Sequence, residues 1–133
     1  TWAVAPGDAV LPIPGALGFD QACNLLGNYE TAYHCLVARG RLRPGETVLL
    51  HGATGGTGLA AVQLARLLGA TVIATGRSAS KLAAVRAEGA DHTIVLHSDE
   101  SGLRPFRDEV KALTGGRGVD LVYDAVGGDI SVE

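Results

Sequence analysis

The sequence predicts an α/β fold with a doubly wound parallel sheet. Four short β-prone runs alternate with helical segments, and strand–helix–strand units of this kind form parallel sheets with right-handed crossovers. A glycine-rich turn at residues 51–58 joins the first strand to its helix. The 133 residues are 47% hydrophobic and 19% charged, which supplies enough apolar material for the core of one domain.

Composition and charge exclude several classes of protein. The chain has 11 Lys and Arg against 14 Asp and Glu, and the net charge of −3 argues against a nucleic-acid-binding surface. No apolar run reaches the ~18 to 20 residues of a membrane span. The two cysteines, Cys23 and Cys35, provide neither a disulfide framework nor a structural zinc set. We therefore predict a cytoplasmic protein with free thiols, no membrane span and no nucleic-acid partner.

Residues 1–18 differ from the rest of the chain. Prolines and glycines break their apolar residues into short runs, a pattern typical of short edge strands and turns without a core of their own. From Asp20 the apolar residues recur at three- and four-residue steps, which predicts a helical face with a break at Gly27-Asn28. Gly40 is suited to end this helix, and residues 43–46 (RPGE) to form a turn.

Beyond residue 46 strands and helices alternate. We predict strands at residues 47–51, 71–75, 93–96 and 119–123. The first two intervening helices are expected at about residues 57–68 and 79–88, each ended by a glycine. The third is expected to carry one apolar face made of Leu103, Phe106, Val110 and Leu113.

The glycine-rich turn (HGATGGTG) matches the dinucleotide fingerprint G-x-G-x-x-G, except that Ala53 replaces the first glycine. In such a turn Gly55 lets the backbone approach a pyrophosphate, and Gly58 lets the helix pack close to the strand. The helix N-terminus adds free N–H groups and the positive end of the dipole. We therefore predict dinucleotide binding; the alternative is a tight turn that serves packing only. A P-loop is excluded, because no Lys-Ser or Lys-Thr follows the glycines.

The end of the second strand indicates which dinucleotide is bound. An NAD site usually has an Asp or Glu there to hold the ribose hydroxyl, whereas residues 75–81 (TGRSASK) contain no carboxylate. Arg77 and Lys81 are both suited to a 2′-phosphate, Arg77 through paired charge-assisted hydrogen bonds. NADPH is therefore favoured over NADH. The alternative is that both cations are solvated residues in the first turn of a helix, where the dipole disfavours them.

Other polar residues carry less information. His51 ends the first strand, where open α/β sheets bind ligands, but a structural role is the favoured interpretation. Asp124 ends the fourth strand near the same crevice and is expected to be buried and hydrogen-bonded. No His or Cys spacing fits a metal site, and no serine or cysteine lies in a nucleophile elbow. Metal-dependent and acyl-transfer chemistry therefore lack support in the sequence.

Taken together, these features resemble the medium-chain dehydrogenase/reductase superfamily, and within it the zinc-independent quinone oxidoreductase branch that includes the zeta-crystallins. Four segments carry the likeness: residues 28–34 (NYETAYH), 42–58 (LRPGETVLLHGATGGTG), 89–92 (GADH) and 114–128 (TGGRGVDLVYDAVGG). They extend over almost the whole chain from residue 16 onward. Related enoyl reductase modules of polyketide synthases share much of this pattern.

The resemblance implies NADPH-dependent reduction of a quinone or an activated enone by hydride transfer, without metal. The pyrophosphate turn then consists of Thr54, Gly55, Gly56 and Thr57. The 2′-phosphate region is made of Arg77, Ser78 and Lys81.

The resemblance also implies the nicotinamide side of the site. Asn28 and Thr31 match the helix that flanks the nicotinamide and are the expected catalytic residues. The loop beside the ring corresponds to Val126, Gly127 and Gly128. One departure concerns the end of the third strand, where such proteins often have a Tyr near the adenine and this chain has Leu96 and His97.

A division of the chain follows from the same likeness. Residues 1–18 match the tail of an N-terminal substrate-side (GroES-like) domain, and residues 19–133 match an NADPH-binding Rossmann domain truncated on its C-terminal side. The partial sheet is expected to have strand order 3-2-1-4, where the full fold continues with strands 5 and 6. We expect this piece to bind cofactor without turning over substrate, and to belong to a homo-oligomer that acts on a small molecule.

Two other functions stay open. One is a non-catalytic NADPH-sensing or scaffold module, in which the dinucleotide shifts oligomerisation. The other is an enoyl reductase module that acts on an enoyl thioester. A domain that packs without any cofactor would require the glycine-rich turn to serve packing alone.

Overall fold

A computed structural model describes residues 2–100 and 102–132, and its centre is a four-stranded parallel sheet. In these residues six strands follow one another: β1 (Thr47–His51), β2 (Thr71–Gly76), β3 (His92–Val95), β4 (Ser98–Asp99), β5 (Gly102–Leu103) and β6 (Leu121–Asp124). The sheet has the order β3-β2-β1-β6, and β4 and β5 form a separate antiparallel hairpin. Because β6 is the fourth strand of the sheet in chain order, the predicted order 3-2-1-4 is confirmed.

Parallel pairing brings the carboxyl ends of the strands to one edge of the sheet. β1 lies between β2 and β6, with Leu50 opposite Ala74 and His51 opposite Asp124. All five residues of β1 are buried, as expected for the central strand of a sheet that is covered on both faces. The loops that follow β1, β2 and β6 therefore lie side by side.

Helices connect the strands as predicted. Those described are α1 (Phe19–Ala22), α2 (Thr31–Tyr33), α3 (Gly56–Leu67), α4 (Ala79–Ala87) and α5 (Arg107–Leu113). α3 and α4 form the crossovers from β1 to β2 and from β2 to β3, within one residue of their expected bounds. In the described part of the chain, none of the helices combines the length and the apolar character needed to span a bilayer.

The helical region before the sheet is more continuous than the sequence predicts. π-helical turns at Leu25–Glu30 and His34–Arg39 flank α2, so the expected break at Gly27-Asn28 is wrong. The interruption comes earlier, at Cys23-Asn24. α2 packs against α3 and buries Ala32 completely, and this packing outweighs the weak helix propensity of the glycine.

The third predicted helix begins later than expected. Leu103 belongs to β5, and Phe106 is the N-cap of α5. Pro105 explains the difference, because it restricts the residue before it to extended backbone and a helix does not continue back through it. Phe106 and Val110 still pack together in the core, whereas Leu113 is exposed.

Residues 2–18 contain a 3-10 turn at Gly7–Ala9 and no strand. The edge strands expected in this part of the described chain are therefore absent. A strand needs a neighbour for its backbone hydrogen bonds, and the prolines at positions 6, 12 and 14 remove donors. Trp2 and Val4 are fully exposed, so the segment buries little apolar surface of its own.

Two apolar clusters cover the two faces of the sheet. On one face Val48 and Leu50 of β1 pack with α3 and the helical region before it. On the other face Leu49 packs with Ile73 of β2 and Phe106. Alternate residues of β1 point to opposite faces, so the sheet is doubly wound, as the fold class requires.

Candidate functional site

The glycine-rich turn (residues 51–58), called the phosphate turn below, lies at the carboxyl end of β1. Gly52 has a φ of +69°, a left-handed conformation that glycine adopts without steric cost. The Ala53 amide donates to the Thr75 carbonyl at 3.3 Å and the Gly55 amide to the Gly52 carbonyl at 3.0 Å, which fixes the turn against β2. A Cβ on Gly76 would lie 3.1 Å from Thr54 Cγ2, so the turn also touches the last residue of β2.

The two fingerprint glycines have different surroundings. A Cβ on Gly58 would lie 2.3 Å from the Gly52 carbonyl oxygen and 2.8 Å from Ala53 Cα, so only glycine fits where α3 approaches the turn. A Cβ on Gly55 would meet a single atom within 4 Å, the Gly52 oxygen at 3.5 Å. Gly58 thus serves helix packing, and the space beside Gly55 is open.

The N-terminus of α3 is uncapped by side chains. Gly55 is the N-cap residue and makes no side-chain cap hydrogen bond. The first N–H groups of a helix lack intrahelical acceptors, and together with the dipole they form a site for anions. α3 has 12 residues, so its N-terminus carries the partial positive charge of the helix dipole, roughly half an elementary charge.

Asn28 contacts the start of α3. The Thr57 hydroxyl donates to Asn28 Oδ1 at 3.1 Å, and a Cβ on Gly56 would lie 2.7 Å from Asn28 Nδ2. Two residues expected in different parts of the site, Asn28 and Thr57, are therefore in direct contact. Thr31 does not join them, because its hydroxyl donates to the Gly27 carbonyl at 2.7 Å within its own helix.

The expected 2′-phosphate region lies where β2 passes into α4. Ser78 is the N-cap of α4; its hydroxyl accepts from the Lys81 amide at 3.4 Å and lies 3.0 Å from Ser80 Oγ. Arg77 and Lys81 are both exposed. Arg77 lines a cavity of about 240 Å³ together with Leu96 of the β3 end and Gly127 of the loop after β6.

Asp124 organises the loop that follows β6. Its Oδ1 accepts hydrogen bonds from the Val126 amide at 2.8 Å and the Gly127 amide at 2.9 Å, and its Oδ2 accepts one from the Ser131 hydroxyl. Gly127 and the following glycine, Gly128, both have left-handed φ values of 70° and 72°. The carboxylate is hydrogen-bonded as expected, but it is exposed at the end of an edge strand and not buried.

The ionisation of Asp124 reflects these contacts. Partial desolvation acts to raise its pKa, but the hydrogen bonds from Ser131, Gly127 and Val126 and the nearby His51 outweigh this effect. The pKa of Asp124 is therefore lowered, and the carboxylate is charged at neutral pH.

His51 lies beneath this edge with 2% of its surface exposed. Its Nδ1 is 3.0 Å from Thr75 Oγ1, and its ring meets the ring of Phe106 edge to face at a centroid distance of 5.8 Å. Burial lowers the pKa of His51 more than the charge of Asp124 raises it. These contacts fit the structural role favoured from the sequence, a neutral ring that ties β1 to β2.

Sequence reasoning missed two connections at this edge. It did not pair Asn28 with Thr57, which are 29 positions apart and meet only through the packing of two helices. It also did not assign the 126–128 loop to Asp124, although an Asp followed within four residues by two glycines is a signal for a side-chain-stabilised turn.

A family model described as zinc-binding dehydrogenase matches residues 56–133. The chain is also similar to a large enzyme of Mycobacterium tuberculosis, the mycoketide-CoA synthase, with 40% identity over 120 residues. That match covers 90% of this chain and 3% of the synthase. A phenolphthiocerol/phthiocerol polyketide synthase of the same organism is 39% identical over 92% of this chain, which spans 5% of that protein. Both similarities therefore concern one small part of a much larger protein.

Solved structures share the fold. The structure of an NAD-dependent alcohol dehydrogenase matches with a TM-score of 0.83 at 38% identity. The match covers 92% of this chain and 34% of the dehydrogenase chain. The quinone oxidoreductase of Escherichia coli, solved in complex with NADPH, matches with a TM-score of 0.75 at 34% identity. This match covers 90% of this chain and 35% of the oxidoreductase chain. The chain thus spans about a third of the length of either protein.

The zinc in the family's description has no ligand set in this part of the chain. Within residues 2–100 and 102–132, no three His, Cys, Asp or Glu side chains lie together in a group that would hold a metal ion. The described residues therefore do not fit zinc. The family match over more than half of the chain agrees with the parallel sheet and with the solved structures. The chain belongs to the zinc-binding dehydrogenase family, within the medium-chain dehydrogenase/reductase superfamily.

Proposed function

We propose that this chain is the NADPH-binding portion of an oxidoreductase that reduces a quinone or an activated enone by hydride transfer. One observation carries the proposal. The open space beside Gly55, at the uncapped N-terminus of α3, lies on the same sheet edge as the exposed Arg77 and Lys81. NADPH carries negative charge on its pyrophosphate and on its 2′-phosphate, and this edge offers donors and cations for each.

The pyrophosphate is proposed to bind at the turn after β1. Thr54, Gly55 and Gly56 bring backbone close to the ligand, and the helix end supplies N–H donors. Gly55 supports this role, because a Cβ there would meet only the Gly52 oxygen, at 3.5 Å, and the space beside it is open. Thr57 holds Asn28 with its hydroxyl and contributes its backbone amide.

The 2′-phosphate is proposed to bind between Arg77 and Lys81. The Ser78 hydroxyl caps α4 by accepting from the Lys81 amide, so Lys81 lies in the first turn and Arg77 directly precedes the N-cap. Both cations lie beside the positive end of the α4 dipole, an unfavourable place that an anion would relieve. The adenine is then proposed to lie at the Leu96 side of the cavity that Arg77 lines, and the Gly127 side of that cavity faces the rest of the dinucleotide.

Bound NADPH supplies a hydride from its nicotinamide ring to the acceptor. The chain's own residues position that ring: the loop with Gly127 and Gly128 forms one wall, and Asn28 and Thr31 lie on the helix that flanks it. The Thr57 hydroxyl donates a hydrogen bond to Asn28, which fixes the Asn28 side chain. This contact supports the catalytic role proposed for Asn28, because it holds the side chain in place. Thr31 lines a cavity that extends along β6 to Asp124.

Residues 1–18 are proposed to be the tail of a neighbouring substrate-side domain, and residues 19–133 the cofactor domain. The exposure of several apolar side chains along this one segment supports the division, because a group of exposed apolar residues marks an interaction surface; these are Trp2, Val4, Val10 and Leu11. Substrate selection is then a property of the longer protein. We further propose a cytoplasmic homo-oligomer.

The cofactor proposal is tested by calorimetric titration of the 133-residue chain with NADPH and with NADH. We expect tighter binding of NADPH. The double variant Arg77→Ala plus Lys81→Ala should weaken NADPH binding by about 10- to 100-fold through the loss of charge-assisted hydrogen bonds, and leave NADH unchanged.

A matched control removes the same charges elsewhere. Arg86→Ala plus Lys111→Ala changes one Arg and one Lys that are exposed on α4 and α5. This control should keep the preference for NADPH. Preference of the native chain for NADH, or an unchanged NADPH preference in the Arg77 and Lys81 variant, would refute the phosphate assignment.

A second substrate class, an enoyl thioester, is favoured by the similarity to a polyketide synthase over 92% of this chain. The longer protein, assayed for NADPH oxidation with a quinone, an enone and an enoyl thioester, separates the classes by their kcat/KM. If the protein is a sensing module, NADPH is oxidised with none of the three substrates. The mass of the oligomer, measured by light scattering, should then change when NADPH is added.

A further inference from the structure

Asp124 makes contacts that the proposed cofactor site does not explain. It ends β6 directly opposite His51, and its three hydrogen bonds all reach forward into residues 126–131. None of these three bonds stabilises the sheet itself. The carboxylate therefore shapes the loop that follows the strand.

The loop requires such support because its sequence leaves the backbone free. Gly127 and Gly128 are consecutive, both left-handed, and a Cβ on either would meet no atom within 4 Å. Glycines lose more conformational freedom on ordering than other residues. Without Asp124 the cost of ordering this loop would fall on the ligand.

The ordered loop also contacts the phosphate turn. Val126 Cγ2 lies 2.8 Å from the position that a Cβ would take on Gly52, so the two loops are in close contact. The Asp124 bond to the Val126 amide holds this side chain there. A continuous path thus leads from the carboxylate through Val126 to the turn after β1.

We propose that Asp124 is a positioning residue. It holds the 126–128 loop against the phosphate turn, so that the loop is already ordered when the nicotinamide half of the dinucleotide binds beside it. The inference rests on the proposed function. It concerns the nicotinamide half of the ligand. The 2′-phosphate is proposed to bind Arg77 and Lys81, and the three hydrogen bonds of Asp124 go instead to Val126, Gly127 and Ser131. Asp124 does not contact the reacting atoms in this role.

The test compares two ligands on the 133-residue chain. NADPH carries both halves, whereas adenosine 2′,5′-bisphosphate carries the 2′-phosphate and lacks the nicotinamide. Asp124→Ala should weaken NADPH binding about tenfold and change bisphosphate binding by less than about twofold. Asp124→Asn, which retains one carbonyl acceptor, should fall between the native chain and the alanine variant.

Two further variants act as control and as independent probe. Asp108→Ala removes the same charge from an exposed position in the first turn of α5 and should bind both ligands like the native chain. Val126→Ala shortens a side chain that is 56% exposed, so the fold tolerates it, and should reproduce the selective loss of NADPH affinity without altering the carboxylate.

The outcomes separate the inference from the function on which it rests. Equal losses for both ligands, or no loss in either Asp124→Ala or Val126→Ala, would overturn the positioning role while leaving the NADPH site in place. Failure of the native chain to bind either ligand would overturn the proposed function and the inference with it.

Discussion

Gly58→Ala should destabilise the fold because the new methyl group has no room. Its Cβ would lie 2.3 Å from the Gly52 oxygen and 2.8 Å from Ala53 Cα, both of which are backbone atoms. An ordinary contact begins near 3.4 Å, so α3 would have to retreat by about 1 Å. Overpacking of this kind costs about 1 to 3 kcal/mol, and the helix propensity of alanine offsets up to about 1 kcal/mol. We expect a net loss of about 1 to 2 kcal/mol.

Urea unfolding measures this loss. With a slope of about 2 kcal/mol per molar urea, the midpoint should fall by about 0.5 to 1 M. Gly55→Ala is the matched control, because its Cβ meets a single atom at 3.5 Å and its φ of −88° suits alanine. It should stay close to native stability and lose NADPH affinity. A Gly58→Ala midpoint at or above the native one, or equal destabilisation by both variants, would refute the packing argument.

Two predictions concern pH. The pKa of Asp120 is lowered by its hydrogen bonds to Arg117 and the Thr47 amide, so its stabilising effect is complete above the ordinary value of 3.8 and is lost as pH falls through the lower folded pKa. The urea midpoint of Asp120→Asn should therefore fall less on acidification than that of the native chain. An equal dependence of the two midpoints on pH would contradict this. Burial lowers the pKa of His51 from 6.5, so the unfolded chain binds that proton first and stability should decline as pH falls below 6.5. His51→Gln should remove this part of the decline, measured as urea midpoints from pH 8 to pH 5, and an unchanged profile would show that His51 does not titrate on unfolding.

The alternation of strands and helices was predictable because each element carries its own periodicity. α3 and α4 lie within one residue of their expected positions, and glycines follow both. The errors came where local signals compete with distant ones. Gly27-Asn28 is typical of a break, yet it is helical because α2 packs on α3. The third helix is a different case, because two local signals conflict there: the apolar spacing predicts a helix from Leu103, and Pro105 prevents the helix from beginning before Phe106.

For the candidate site, the sequence by itself determined which residues lie at the carboxyl ends of strands, because strand ends and glycine turns are local features. It thereby predicted the glycine-rich turn at residues 51–58 and Arg77 with Lys81, whereas the loop at 126–128 is implied by the resemblance to the medium-chain dehydrogenase/reductase superfamily. Only the tertiary structure decided which of these touch: Asn28 with Thr57, Val126 with Gly52, and Asp124 with its own loop. The physical reason is that such contacts depend on the packing distance between elements, and this distance is a property of the assembled core.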